Sequence, residues 1–221
     1  MKKCDVLRPA SVSERAFFAL LVLLMFVASC TFFIRRPMIP DAQKREVLLK
    51  RVPIHTRDEW GATDTTSGWV HHAIQRITLH HGGVPFQKNK KVTEYLRNLQ
   101  NWSRQEKGWP DIPYHFIVDL DGEIWEARPL QYAGDTNTDY NTRGHVLVCV
   151  LGNYEEQEPT EKQLRALVQL FAALCRIYGV SPHTIRGHRD YTSQTVCPGR
   201  NLYRYLENGW LVEEVKKALT R

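Results

Sequence analysis

Three places in the chain combine side chains able to hold a metal ion. His80-His81 closes a stretch of apolar and β-branched residues and is followed by Gly82-Gly83. Gly187-His188-Arg189-Asp190 stands where a short apolar run gives way to a polar loop, and Cys197-Pro198-Gly199 follows nine positions after His188. A histidine and a cysteine on one loop can converge on a single ion, and a histidine from a neighbouring strand completes three ligands. Adjacent strand residues face opposite sides of a sheet, so only one of His80 and His81 can point into a given site. Two imidazoles and a thiolate form a borderline-soft set suited to zinc. No fourth Cys or His lies in the same loop, which leaves a coordination position open for water, as in a catalytic rather than a structural site. Zinc so held lowers the pKa of bound water to about 7 and makes it a nucleophile at neutral pH.

These residues need strands to carry them. Residues 74–81 alternate apolar and polar positions in part and read as a strand ending at the two glycines. In residues 91–106, Val92, Tyr95, Leu96, Leu99 and Trp102 recur at helical spacing. Strands are expected at 114–119 and 124–127, joined by an Asp121-Gly122 turn. Residues 145–151 form a continuous apolar run suited to a central strand buried on both faces. Pro159 and Thr160 open a long helix that Gly179 ends. A short strand at 183–187 leads into the polar loop 188–199, and an amphipathic helix closes the chain over about 209–220. Strands alternating with helices imply an α/β fold, one mixed β-sheet flanked by helices.

The N-terminal third reads differently. Residues 16–34 hold no charge and are flanked by Lys2, Lys3, Arg8 and Arg15 before and Arg35 and Arg36 after. Such a stretch is a targeting or anchoring element and stands outside the fold. Val27-Ala28-Ser29-Cys30 resembles a bacterial lipobox, in which cleavage leaves Cys30 lipidated. The competing version is an uncleaved signal anchor, just long enough to span a bilayer. Either places residues 54–221 outside the cytoplasm, attached to a membrane of the cell envelope. Residues 35–53, with Pro37, Pro40 and Pro53 among mixed charges, read as a linker with a helical turn or two.

With 221 residues and 43% apolar content, the chain can build a core without disulfide staples. The five cysteines are odd in number and irregularly spaced, so they describe no disulfide framework. Cys149 and Cys175 read as small buried hydrophobes, and only Cys197 stands in polar company. A net charge of +6 suits an anionic neighbourhood such as a cell wall or acidic lipid. No basic run interleaved with aromatics points to nucleic acid.

Six motifs, in order, carry a resemblance. They are Arg57-Asp58-Glu59-Trp60-Gly61-Ala62, Ile77-Thr78-Leu79-His80-His81, Gly108-Trp109-Pro110-Asp111-Ile112-Pro113-Tyr114-His115-Phe116, Asp121-Gly122-Glu123-Ile124-Trp125-Glu126-Ala127-Arg128-Pro129, Gly187-His188-Arg189-Asp190 and Cys197-Pro198-Gly199. Over about residues 54–210 the chain resembles the peptidoglycan recognition protein and phage amidase family of zinc N-acetylmuramoyl-L-alanine amidases. The resemblance implies His80, His188 and Cys197 as zinc ligands, with His81 turned to the opposite face. It gives Tyr114 the family's active-site tyrosine position and Thr195 the position where some phage members carry lysine. His115 and Trp60 become structural residues.

The implied substrate is peptidoglycan or its muropeptides, cut between N-acetylmuramic acid and L-alanine by a chain acting as a monomer. The alternative is a binding module of the same fold that does not cut, although such relatives typically lose the cysteine. The chain departs from the pattern in two places. Eight residues separate His188 from Cys197, where seven is the commoner spacing, and Gly134-Asp135-Thr136-Asn137 replaces a segment that often holds a histidine near the substrate. The paired cysteines that animal recognition proteins carry after the His-His strand are missing, which favours a bacterial protein.

Overall fold

In a computed structural model, residues 39–65 and 67–221 are described. The leader stretch 16–34, with the lipobox at Cys30, lies outside them. Among the described residues no helix is long and apolar enough to cross a membrane.

The elements are α1 (Asp41–Arg51), β1 (Ile54–His55), α2 (Arg57–Trp60), β2 (Arg76–His81), α3 (Val92–Lys107), β3 (Phe116–Val118), β4 (Ile124–Glu126), β5 (His145–Val150), α4 (Glu161–Tyr178), β6 (Ile185–Gly187), α5 (Arg200–Glu207) and α6 (Trp210–Leu219). The strands form one six-stranded sheet in the order β1-β4-β3-β5-β2-β6. Only β3 and β4 pair antiparallel, and the remaining neighbours run parallel. The expected mixed sheet flanked by helices is what the chain adopts.

Strand alternation sorts the core into two layers. Ile77, Leu79, Val146, Val148 and Val150 pack with Leu164, Leu167, Leu170, Phe171 and Leu174 of α4, Leu48 of α1 and Leu211 and Val215 of α6. Ile117 and Cys149, on the other face, join Leu96 of α3 and Trp60 of α2. Helix α4 begins where Thr160 and Gln163 cap each other, the Thr160 Oγ1 accepting from Gln163 N at 3.1 Å and the Gln163 amide oxygen from Thr160 N at 3.0 Å. It ends at Gly179, whose φ of 67° is a left-handed conformation that glycine adopts without strain.

The stretch read as a linker with a helical turn or two carries the 11-residue helix α1, and the compact unit that holds the sheet runs from Pro40 to Arg221. Helix α1 is mostly charged, yet Leu48 is fully buried and the Arg45 guanidinium grips Glu126 of β4 at 2.5 and 2.6 Å. One buried leucine and one ion pair suffice to dock it, a pattern too sparse to register as amphipathic. Trp60 is structural as expected: it is fully buried and donates from Nε1 to the Glu126 carbonyl at 2.7 Å.

Candidate metal centre

Sheet register builds the centre. His80 shares a face with Thr78, opposite to Ile77 and Leu79. In the parallel pairing of β2 and β6, Leu79 stands beside Gly187. The next residue on each strand is therefore His80 beside His188, about one strand spacing apart, and their ring centroids lie 4.6 Å from each other. The loop then returns Cys197 to the same place. Arg189 N donates to the Cys197 carbonyl at 2.8 Å, so the eight intervening residues close on themselves and the extra residue is absorbed. Gly199 permits this return: its φ is 85°, and a Cβ there would meet Tyr154 backbone at 2.5 Å.

His80, His188 and Cys197 are all buried, and one potential ligand atom from each lies within 4.8 Å of the others. Cys197 Sγ is 3.6 Å from His80 Nδ1 and accepts a hydrogen bond from His81 N at 3.4 Å. Burial, reinforced by the neighbouring His188, holds His80 well below the usual imidazole pKa. Burial also brings His188 down to about 4, so both rings are neutral at pH 7 and offer lone pairs. Burial pushes the Cys197 thiol up to about 12, with the His81 N–H acting the other way. A thiolate here needs a cation, and a divalent ion inverts the thiol's preference outright. The donor set therefore fits zinc: two neutral imidazoles and one thiol that only a metal would ionise.

The opening above these residues is a cleft of about 870 Å³. Tyr114, just ahead of β3, lines it with its ring 5.2 Å from that of His80. Burial raises its hydroxyl pKa well above the ordinary value, so it stays protonated and available as a donor. The segment carrying it is set by Arg128, almost wholly buried, which donates to the carbonyls of Asp111 and Ile112 on one side and Ala133 on the other, and pairs with Asp135. Thr195 also lines the cleft, and its Oγ1 accepts from Cys197 N at 3.1 Å. All five residues singled out in the sequence thus meet at one cleft.

The two other histidines beside these motifs turn away. His81 follows Ile77 and Leu79 onto the α4 face, where its Nδ1 accepts from Tyr154 N at 3.1 Å. His115 is fully buried, with Nε2 donating to the Tyr132 carbonyl at 2.8 Å and Nδ1 accepting from Leu147 N at 2.9 Å.

Sequence reasoning missed two parts of the cleft. Trp102, read only as part of a helical repeat, is 41% exposed and forms a wall with Trp109, edge to face at 6.2 Å. Helical spacing alone placed Trp102 with the buried positions, so the sequence carried no signal of its exposure. Thr136, from the segment that departs from the family pattern, and Thr138 and Tyr140 just after it stand against His188 and His80.

A family model described as N-acetylmuramoyl-L-alanine amidase matches residues 71–200. Peptidoglycan-recognition protein SC2 of Drosophila melanogaster is 31% identical over 156 residues, covering 69% of this chain and 83% of its own. The crystal structure of Drosophila peptidoglycan recognition protein SD superposes with a TM-score of 0.64 at 26% identity, over 71% of this chain and 94% of that one. The endolysin N-acetylmuramoyl-L-alanine amidase LysCS from Clostridium intestinale gives 0.57 at 25% identity, over 73% and 97%. By this match, over a sheet and cleft shared with these relatives' fold, the chain belongs to the N-acetylmuramoyl-L-alanine amidase family.

Proposed function

We propose that the chain is a zinc-dependent N-acetylmuramoyl-L-alanine amidase acting on peptidoglycan or its fragments. The supporting observation is the convergence of His80 Nδ1, His188 and Cys197 Sγ at the floor of an open cleft. Zinc there supplies an activated water and a Lewis acid for the amide carbonyl. The chain's own residues do the rest. The Tyr114 hydroxyl, kept protonated by burial, donates to the oxygen on which negative charge develops, a role worth about 10²–10³ in rate for a well-placed donor. Thr195 fixes the Cys197 amide and offers its hydroxyl at the cleft wall. The indoles of Trp102 and Trp109 give the substrate's apolar faces a surface to lie on.

Relatives named for recognition alone raise the reading of a binding module that does not cut. Retention of Cys197 with both histidines and Tyr114 speaks for the enzyme. The uncharged stretch 16–34 completes the proposal by holding the domain at a membrane outside the cytoplasm. Digestion of purified peptidoglycan tests the activity. Cleavage should expose muramic acid lactyl carboxyls and new L-alanine amino termini, stop on chelation and resume with zinc. Peptidoglycan that is bound by a zinc-loaded chain without yielding such ends would establish the binding module instead.

A further inference from the structure

The loop between β4 and β5 brings hydroxyls to Nε2 of His80 and of His188, which in His80 is the nitrogen opposite the one that meets Cys197. Thr138 Oγ1 lies 2.8 Å from His188 Nε2, and Thr136 Oγ1 is 3.5 Å from the same atom. Thr136 Oγ1 sits 2.9 Å from Thr138 Oγ1 and accepts from Thr138 N at 3.2 Å. The Tyr140 hydroxyl is 3.4 Å from His80 Nε2. The Tyr140 ring packs on the His188 ring at 4.9 Å and stacks on Tyr191 at 5.5 Å and 16°.

The loop is itself pinned at both ends and in the middle. Asp135 pairs with Arg128 at 2.5 Å, Thr142 Oγ1 donates to the Gly134 carbonyl at 2.6 Å, and Asp139 N donates to Gln194 Oε1 at 2.9 Å, on the loop that carries Cys197. Among the described residues no backbone group is satisfied by the side chains of Tyr140 or Thr138: the Tyr140 hydroxyl meets His80, and the Thr138 hydroxyl meets His188 and Thr136.

We infer that Thr138 and Tyr140 are positioning residues of the metal centre, accepting the Nε2–H of His188 and His80 so that both rings present Nδ1 to the ion. The assignment rests on the zinc reading above. Thr138 Oγ1 accepts from His188 and passes its own proton toward Thr136 Oγ1, which gives each hydroxyl in the chain a consistent role. Fixing the tautomer and the ring plane in this way raises ligand basicity, and loss of such a partner typically weakens metal affinity 10- to 100-fold.

Zinc affinity of the full chain in mild detergent, measured by competition with a chromophoric chelator, tests this. Thr138→Val and Tyr140→Phe keep side-chain shape and remove the acceptor. Each should weaken zinc about 10-fold or more, while Thr138→Ser restores the affinity. Cobalt substituted for zinc should keep its thiolate charge-transfer band but show altered d–d bands in both variants. The thermal midpoint of the metal-free chain should stay unchanged, which separates ligand support from loop packing. Variants that bind zinc as tightly as the unchanged chain would overturn the inference and leave the metal centre standing. An unchanged chain that takes up neither zinc nor cobalt would overturn both.

Discussion

Two groups of histidines, buried or half-buried, lie in and beside one sheet and are held in opposite ways. His115 and His72 have partners on both ring nitrogens, and each ties together two backbone segments: His115 joins Tyr132 to Leu147, and His72 joins Leu130 to Gly144. Among the described residues His80 and His188 hold no backbone group, and each has one nitrogen toward a threonine or tyrosine hydroxyl. The other nitrogen of His80 meets the Cys197 sulfur. Burial depresses the pKa of both groups, so burial does not separate them. What separates them is whether both ring nitrogens are already used by the fold. A histidine with a spare nitrogen aimed at another such histidine and a thiol is free to take the ligand role proposed for it; one held by backbone groups at both nitrogens is a rivet.

Exchanging the two kinds of histidine for alanine should break this comparison most sharply. His115→Ala orphans the Leu147 N–H and the Tyr132 carbonyl inside the core and should cost about 3–5 kcal/mol. Its folded fraction should bind zinc normally. His80→Ala should cost the metal-free chain under about 2 kcal/mol and abolish zinc binding. Urea denaturation and chelator competition on both variants read the two effects; equal destabilisation by both would erase the distinction.

Tyr114→Phe comes next. It should retain the fold and the metal and slow hydrolysis about 10- to 1000-fold, seen as a lower kcat at unchanged zinc content. A wild-type rate would remove the hydroxyl from the chemistry.

The riveting histidines should also make stability depend on pH. Burial, with His72 adding to it, brings His115 down to about 3, against an unfolded value near 6.5. The unfolded chain therefore takes up a proton that the folded chain refuses. Stability is full above pH 6.5 and is lost as pH falls toward 3, by ~2 kcal/mol between pH 7 and 5 for this one group. Urea midpoints of the metal-free chain measure it, and a flat profile from pH 7 to 5 would contradict it.

Trp102→Ala should have the smallest effect. It should weaken retention on insoluble peptidoglycan about tenfold and leave zinc affinity untouched. Equal retention would take the exposed indole out of the substrate surface.

Much of this was legible in the chain because period-2 alternation and ligand spacing are local signals. The strand ending at His80-His81, the Thr160-to-Gly179 helix and the His188–Cys197 loop could all be read directly. Alternation decided that one histidine of the pair must turn away, and motif order assigned that role to His81. Helix α1 escaped because a single buried leucine in a charged segment has no periodicity to detect. Strand β1 escaped because two residues make no pattern. Thr138 and Tyr140 escaped for another reason: their partners lie 50 and 60 residues away. Only the sheet register brings them together, and a loop threonine carries no mark of what it will touch.

X-ray absorption at the zinc edge on the loaded chain tests the His80–His188–Cys197 centre directly, because it reads the ligand atoms themselves. One sulfur near 2.3 Å, two imidazole nitrogens near 2.0–2.1 Å and one further light atom are expected, with the sulfur lost in Cys197→Ser. A shell of nitrogen and oxygen alone in the unchanged chain, or one with two sulfurs, would contradict it.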